Sequence, residues 1–157
     1  MDSNFYVFRS EWSLDAPVED VFTALAELTA YPTWWPEVRT VREVSPVESE
    51  LVCRSLLPYD LAFSSRQSRK DPGMGVLEAS LHGDLDGFSR WTISPAPGGS
   101  LAVFDEEVTA QKTLLRLFGR IARPAFRANH TLMMRHGRRG LRTFLAGMRL
   151  GRGSNSD

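Results

Sequence analysis

Residues 15–38 read DAPVEDVFTALAELTAYPTWWPEV, a helix start followed by aromatic residues held between prolines. Asp15 or Ala16 is placed to cap, Pro17 to take the first helical position, and Glu19 and Asp20 to face the positive end of the dipole. Val18, Val21, Phe22, Leu25 and Leu28 recur at the spacing of one buried helical stripe. YPTWWP (Tyr31 to Pro36) then allows no more than one further turn, because each proline restricts itself and the residue before it. Two short helices in succession are expected.

Upstream, FYVFRSEWSL alternates as a strand does. Downstream, Glu37 to Ala110 divides into strand-length pieces: EVRTVREVS, ELVCRSLL, YDLAFSSRQSR, MGVLEASLHG, GFSRWTISP and SLAVFDEEVTA. SPVES, LPYD, KDPG, GDLDG and APGG separate them. With the first strand this makes about seven, and hairpin-length connections make the sheet antiparallel. The last segment is helical. Thr113 can cap LLRLFGRIAR, and Pro124 is expected to break the helix, leaving residues 118–123 as a separate turn. Beyond it Phe126, His130, Met133, Gly137, Leu141, Phe144 and Met148 share one stripe, with Arg127, Arg135, Arg138, Arg142 and Arg149 on the other side.

An antiparallel sheet with one polar face must cover the other, and only the C-terminal helix is long enough to do so. The fold class is α+β: a curved antiparallel sheet of about seven strands wrapped around a long C-terminal helix, with two short helices after strand 1. A straight helix cannot follow a curved sheet along its whole length, so a cavity remains between them. Trp34 and Trp35 are expected at its mouth, offering apolar area with indole N–H groups that stay wet. The alternative for either is ordinary packing, since neighbours on a helical turn point about 100° apart.

The 157 residues fit one domain over 1–150, with 151–157 as a disordered tail. No apolar run approaches the ~18 residues of a span, which argues against stable membrane insertion. MDSNFYVFRSEW lacks an apolar signal region, and Cys53, the single cysteine, fits a core position in a cytoplasmic protein. From Met1 to Gln111 there are 8 Lys+Arg against 18 Asp+Glu, a balance of −10; from Lys112 onward 11 stand against 1, a balance of +10. Either a basic helix lies on an acidic remainder, or its arginine face meets an acidic partner. Nucleic acid is not expected, because the basic segment lacks interleaved aromatics and any known binding motif.

DAPVEDVFTAL, YPTWWPEV, LPYDL, GDLDGFSRWTI and RPAFRANHTLMMRHGRRGL together resemble the polyketide cyclase/dehydrase-like group of the START/Bet v 1-like (SRPBCC) superfamily, over roughly Phe5 to Leu150. The resemblance implies a helix-grip fold with an internal pocket for an apolar small molecule. It departs at Glu106, where related sequences commonly carry an aromatic.

Among candidate catalytic groups, His130 sits on the buried stripe of the long helix. A buried imidazole needs a partner, and it is the usual proton-transfer group near neutral pH. A satisfied structural histidine is the alternative. Asn129 is the simplest group to orient it. Of Asp105, Glu106 and Glu107, strand alternation sends at least one to the concave face. Glu106, which shares its parity with Ala102, Phe104 and Val108, is the one expected there, as a base or paired with an arginine. An acid facing water at a strand end is the alternative. In SRWTI, Trp91 and Ile93 point inward and Arg90 outward, toward Asp84 or Asp86. The acids of GDLDG read as turn residues that satisfy local backbone. The expected ligand-binding set is Trp34, Trp35, Trp91, Ile93, Phe104, Phe126, Asn129 and Met133. His136 projects about 120° from His130 around the helix and His82 ends a strand, so neither a metal nor another cofactor is expected.

Two functions follow. One is a carrier, sensor or sequestering protein that binds an apolar or aromatic molecule, lipid- or polyketide-like. The other is a polyketide cyclase or dehydratase in which His130 or Glu106 moves protons. One titratable group in the cavity favours the first; a matched pair favours the second.

Overall fold

The computed structural model describes residues 4–54, 59–111 and 119–153. Strand β1 (Phe5–Leu14) buries Tyr6, Trp12 and Leu14 from alternate positions. Helix α1 (Val18–Ala26) buries Val21, Phe22 and Leu25. Its start differs from expectation. Pro17 is the N-cap, with extended backbone (ψ 155°), and its carbonyl accepts the Asp20 and Val21 N–H groups. A single 3-10 turn, Leu28–Ala30, leads into α2 (Tyr31–Trp34), so the prolines do limit this element to one turn.

Strands β2 (Val38–Ser45), β3 (Glu48–Cys53), β4 (Leu61–Asp71), β5 (Val76–Gly83), β6 (Leu85–Ala96) and β7 (Gly99–Ala110) follow. All pairings are antiparallel, in the order β1-β7-β6-β5-β4-β3-β2. Only β1 pairs out of sequence order, running from Phe5 opposite Thr109 to Leu14 opposite Ser100. In β7 every second residue from Ser100 to Ala110 is buried, the signature of a strand with one face on the core.

Helix α3 (Gly119–Gly153) covers the sheet and makes this the helix-grip fold. Two expectations are corrected here. Pro124 lies inside α3, and helix continues on both sides of it. The ring forgoes one bond, to the Arg120 carbonyl. Phe126 anchors this end by packing on Tyr6 with centroids 4.5 Å apart. The helix also runs through residues 151–153, where a tail was expected. Thr113 and residues 55–57 of the expected third strand lie outside the described residues.

Several arginines of α3 tie it to the first strand and helix. Arg142 donates to the Ser13 carbonyl, Arg149 to the Asp15 carbonyl, and Arg152 pairs with Asp20 at 3.0 Å. Arg127, Arg135 and Arg138 are exposed. Among the described residues no helix is long and apolar enough to cross a membrane.

Candidate functional site

Between α3, the first two helices and the concave sheet lies a cavity of about 340 Å³. Its exposed lining residues, among them Thr29, Val47, Gln67 and Lys70, gather at one end and mark the mouth. Leu81, Leu85 and Phe126 close the other end. Trp35, Trp91, Phe104 and Met133 form much of the wall.

Glu106 occupies the middle of the floor. The alternation of β7 turns it inward with Phe104 and Val108, and its side chain is 10% exposed. His130 reaches it from α3, with Nε2 3.4 Å from Glu106 Oε2. Phe8, opposite Glu106 in the sheet, stacks on the imidazole at 3.7 Å and 8°. Phe104 faces the same ring at 6.4 Å. The imidazole is therefore oriented by one carboxylate and two aromatic rings. Asn129 is buried in the cavity wall beside it. Ser89, opposite Glu106 in β6, adds a hydroxyl to the floor.

The two tryptophans of YPTWWP part company. Trp35 lines the cavity and is buried, with its indole N–H donating to the Met133 carbonyl at 2.9 Å. Trp34 does not line it. That ring is buried between Tyr31 and Phe144, at 4.8 and 6.5 Å, and its Nε1 has no partner among the described residues. Neither indole is wet, and the mouth lies elsewhere. The reason is close approach of α2 to α3. A Cβ on Gly137 would stand 2.5 Å from the Trp35 ring.

Ile93 is also corrected: it points inward but packs in the core beyond the cavity wall. Arg90 points outward as expected, yet bonds Glu78 at 2.7 Å rather than Asp84 or Asp86. Those two acids accept the Ala62 and Gly83 N–H groups, the backbone role read from GDLDG. Cys53 is free, buried and on the cavity wall. Burial, reinforced by the charges of Glu106 and Glu37, pushes its thiol up to about 12, so it is no nucleophile at neutral pH. Burial likewise raises Tyr31, whose hydroxyl donates to the Leu25 carbonyl at 2.6 Å.

One pair escaped the sequence. His136 Nδ1 hydrogen-bonds Glu37 Oε1, tying the residue after YPTWWP to α3. Glu37 is 7% exposed, and its Oε2 is buried without a partner among the described residues. His82 pairs with Asp86 at 2.7 Å on the surface, away from the cavity lining. Among the described residues no three His, Cys, Asp or Glu side chains are grouped to hold a metal ion.

The family described as polyketide cyclase / dehydrase and lipid transport matches residues 7–143. The chain belongs to this family. Solved structures agree on the fold of this polyketide cyclase / dehydrase relative. TTHA0849 from Thermus thermophilus superposes with a TM-score of 0.80 at 16% identity, covering 91% of this chain and 99% of its own. A START superfamily protein from Mycobacterium smegmatis gives 0.70 at 16% identity, covering 92% and 98%. The Zhui aromatase/cyclase from Streptomyces sp. R1128 gives 0.73 at 13% identity, covering 90% and 94%. No curated protein matches the chain.

Proposed function

We propose that this protein binds a small apolar or aromatic molecule, lipid- or polyketide-like, in the cavity beneath α3, as a carrier, sensor or sequestering protein. The observation that supports this best is the wall itself. Trp35, Trp91, Phe104, Phe126 and Met133 surround a space of about 340 Å³, large enough for a small ligand. Native mass spectrometry of protein purified from its own host tests the reading. A co-purifying apolar molecule, lost when Trp91 is replaced by a charged residue, supports it; absence of any bound molecule together with no quenching of Trp35 and Trp91 fluorescence by apolar probes removes it.

A second reading, a cyclase- or dehydratase-type enzyme, is favoured by the Glu106–His130 pair. Two titratable groups meet at one point of the cavity, the arrangement that acid–base chemistry needs. In this reading His130 takes a proton from carbon next to a carbonyl and returns it to a departing hydroxyl. The Glu106 carboxylate steadies the imidazolium in between. The walls hold the chain in one reactive geometry. Turnover of a model polyketone that survives binding but vanishes in Glu106→Gln separates this reading from the first.

The exposed Arg127, Arg135 and Arg138 supply a face for an acidic partner. Charge reversal at Arg135 and Arg138 that leaves every host-protein association intact removes this part of the proposal.

A further inference from the structure

Strand β4 changes register between Gln67 and Arg69: Gln67 lies opposite Ala79, and Arg69 opposite Glu78, leaving Ser68 as an extra residue. One extra residue exchanges the inward and outward sets beyond it. Phe63, Ser65 and Gln67 line the cavity, and strict alternation would give the next inward place to Arg69. The bulge gives it to Lys70, which lies opposite the buried, cavity-lining Leu77. Leu77 in turn lies opposite Trp91, and Trp91 opposite Phe104. The four residues form one rung across the sheet, and all line the cavity. Three strand spacings, about 14 Å, separate its ends. Along that line the chemistry runs from an ammonium through an aliphatic side chain to an indole and a phenyl ring.

The charges give the rung a direction. Deeper in the floor stands the Glu106 carboxylate, which repels an anion. At the mouth Arg69, the other cation lining the cavity, is held by Asp71 at 3.2 Å. Lys70 has no ion pair or hydrogen bond among the described residues. The acids near it are occupied: Glu48 pairs with Arg66 at 3.5 Å, and Glu78 with Arg90 at 2.7 Å. Glu43 lies on the rung of Ser49 and Ser65, two inward positions further along β4 and two strands away.

We propose that Lys70 anchors the carboxylate of an amphiphilic acid whose apolar body lies across Leu77, Trp91 and Phe104. The proposal rests on the cavity-binding reading and adds a ligand class, an orientation and a residue that selects for charge. The bulge in β4 is the device that builds it.

The test uses 11-(dansylamino)undecanoic acid and its methyl ester, titrated into the intact protein and followed by dansyl fluorescence. The acid is expected to bind about three- to fivefold tighter than the ester, the contribution of a partly solvated ion pair. Lys70→Met should abolish that preference while leaving ester affinity unchanged, and Lys70→Arg should restore it. Equal affinity for acid and ester in the wild type overturns the proposal. So does an equal loss for both ligands in Lys70→Met. Either result leaves cavity binding intact, whereas failure of both probes to bind removes that reading and this one together.

Discussion

Gly140 lies against the backbone of Trp34: a Cβ at this position of α3 would stand 1.6 Å from the Trp34 carbonyl oxygen. One turn earlier, a Cβ on Gly137 would meet Trp35 at 2.5 Å and Trp12 at 2.9 Å. A Gly→Ala change inside a helix ordinarily gains up to about 1 kcal/mol. Here the sign should reverse. Gly140→Ala is expected to destabilise by roughly 1–3 kcal/mol or more through forced separation of α2 from α3. Gly147, with nothing within 4 Å of its virtual Cβ, is the control. Urea melts in which Gly140→Ala and Gly147→Ala shift in the same direction would show that α2 is not seated on α3.

His130 has a 12% exposed side chain, with one polar neighbour and two ring faces. His130→Ala should weaken ligand binding about fivefold to tenfold, the effect of losing one ordinary hydrogen bond to the ligand. Any turnover should fall roughly a hundredfold or more. The melting temperature should move less than for Gly140→Ala. A variant that merely unfolds, or that binds and turns over normally, leaves the carrier reading alone.

The Cys53 thiol should resist modification while the protein is folded, because burial raises its pKa from 9.0 to about 12. The folded state therefore favours the protonated form. That contribution to stability is complete below pH 9 and is lost as pH rises from 9 toward 12. Ellman's reagent at pH 8 should report no thiol in the native protein and one after denaturation. Cys53→Ala should flatten the alkaline fall in stability between those pH values. Rapid labelling of native protein would mean that the end of β3, between β2 and β4, opens readily.

The parts of this site that lie on regular elements were legible in the sequence. The alternation of SLAVFDEEVTA turns Glu106 inward, SRWTI does the same for Trp91, and the stripe through Phe126 and Met133 carries His130 to the sheet. What was missed depends on irregular geometry or distant contact. Lys70 faces the cavity only because of an extra residue whose placement is set by the partner strand. Glu37 and His136 are 99 positions apart, and no local pattern couples them. Trp34 and Trp35 have equal composition signals, and the approach of α2 to Gly137 and Gly140 decides which one sees the cavity. Pro124 was overread because the packing of Phe126 on Tyr6 offsets one absent hydrogen bond.

The sheet order also sets an order of assembly. Strands β2 to β7 follow one another as neighbours, each next to its predecessor, so their pairings can close over short loops. β1 has to wait, since its partner β7 is almost the whole sheet-forming chain away. Pairing of that kind comes late in folding and slows it. Truncating Tyr6 or Trp12 on β1 should therefore speed unfolding while leaving the refolding rate nearly unchanged, whereas truncating Leu77 on β5 should slow refolding. Stopped-flow chevrons in which both groups slow refolding alike would reverse that order. On that order, the seam between the first strand and the last should be where the native sheet opens first.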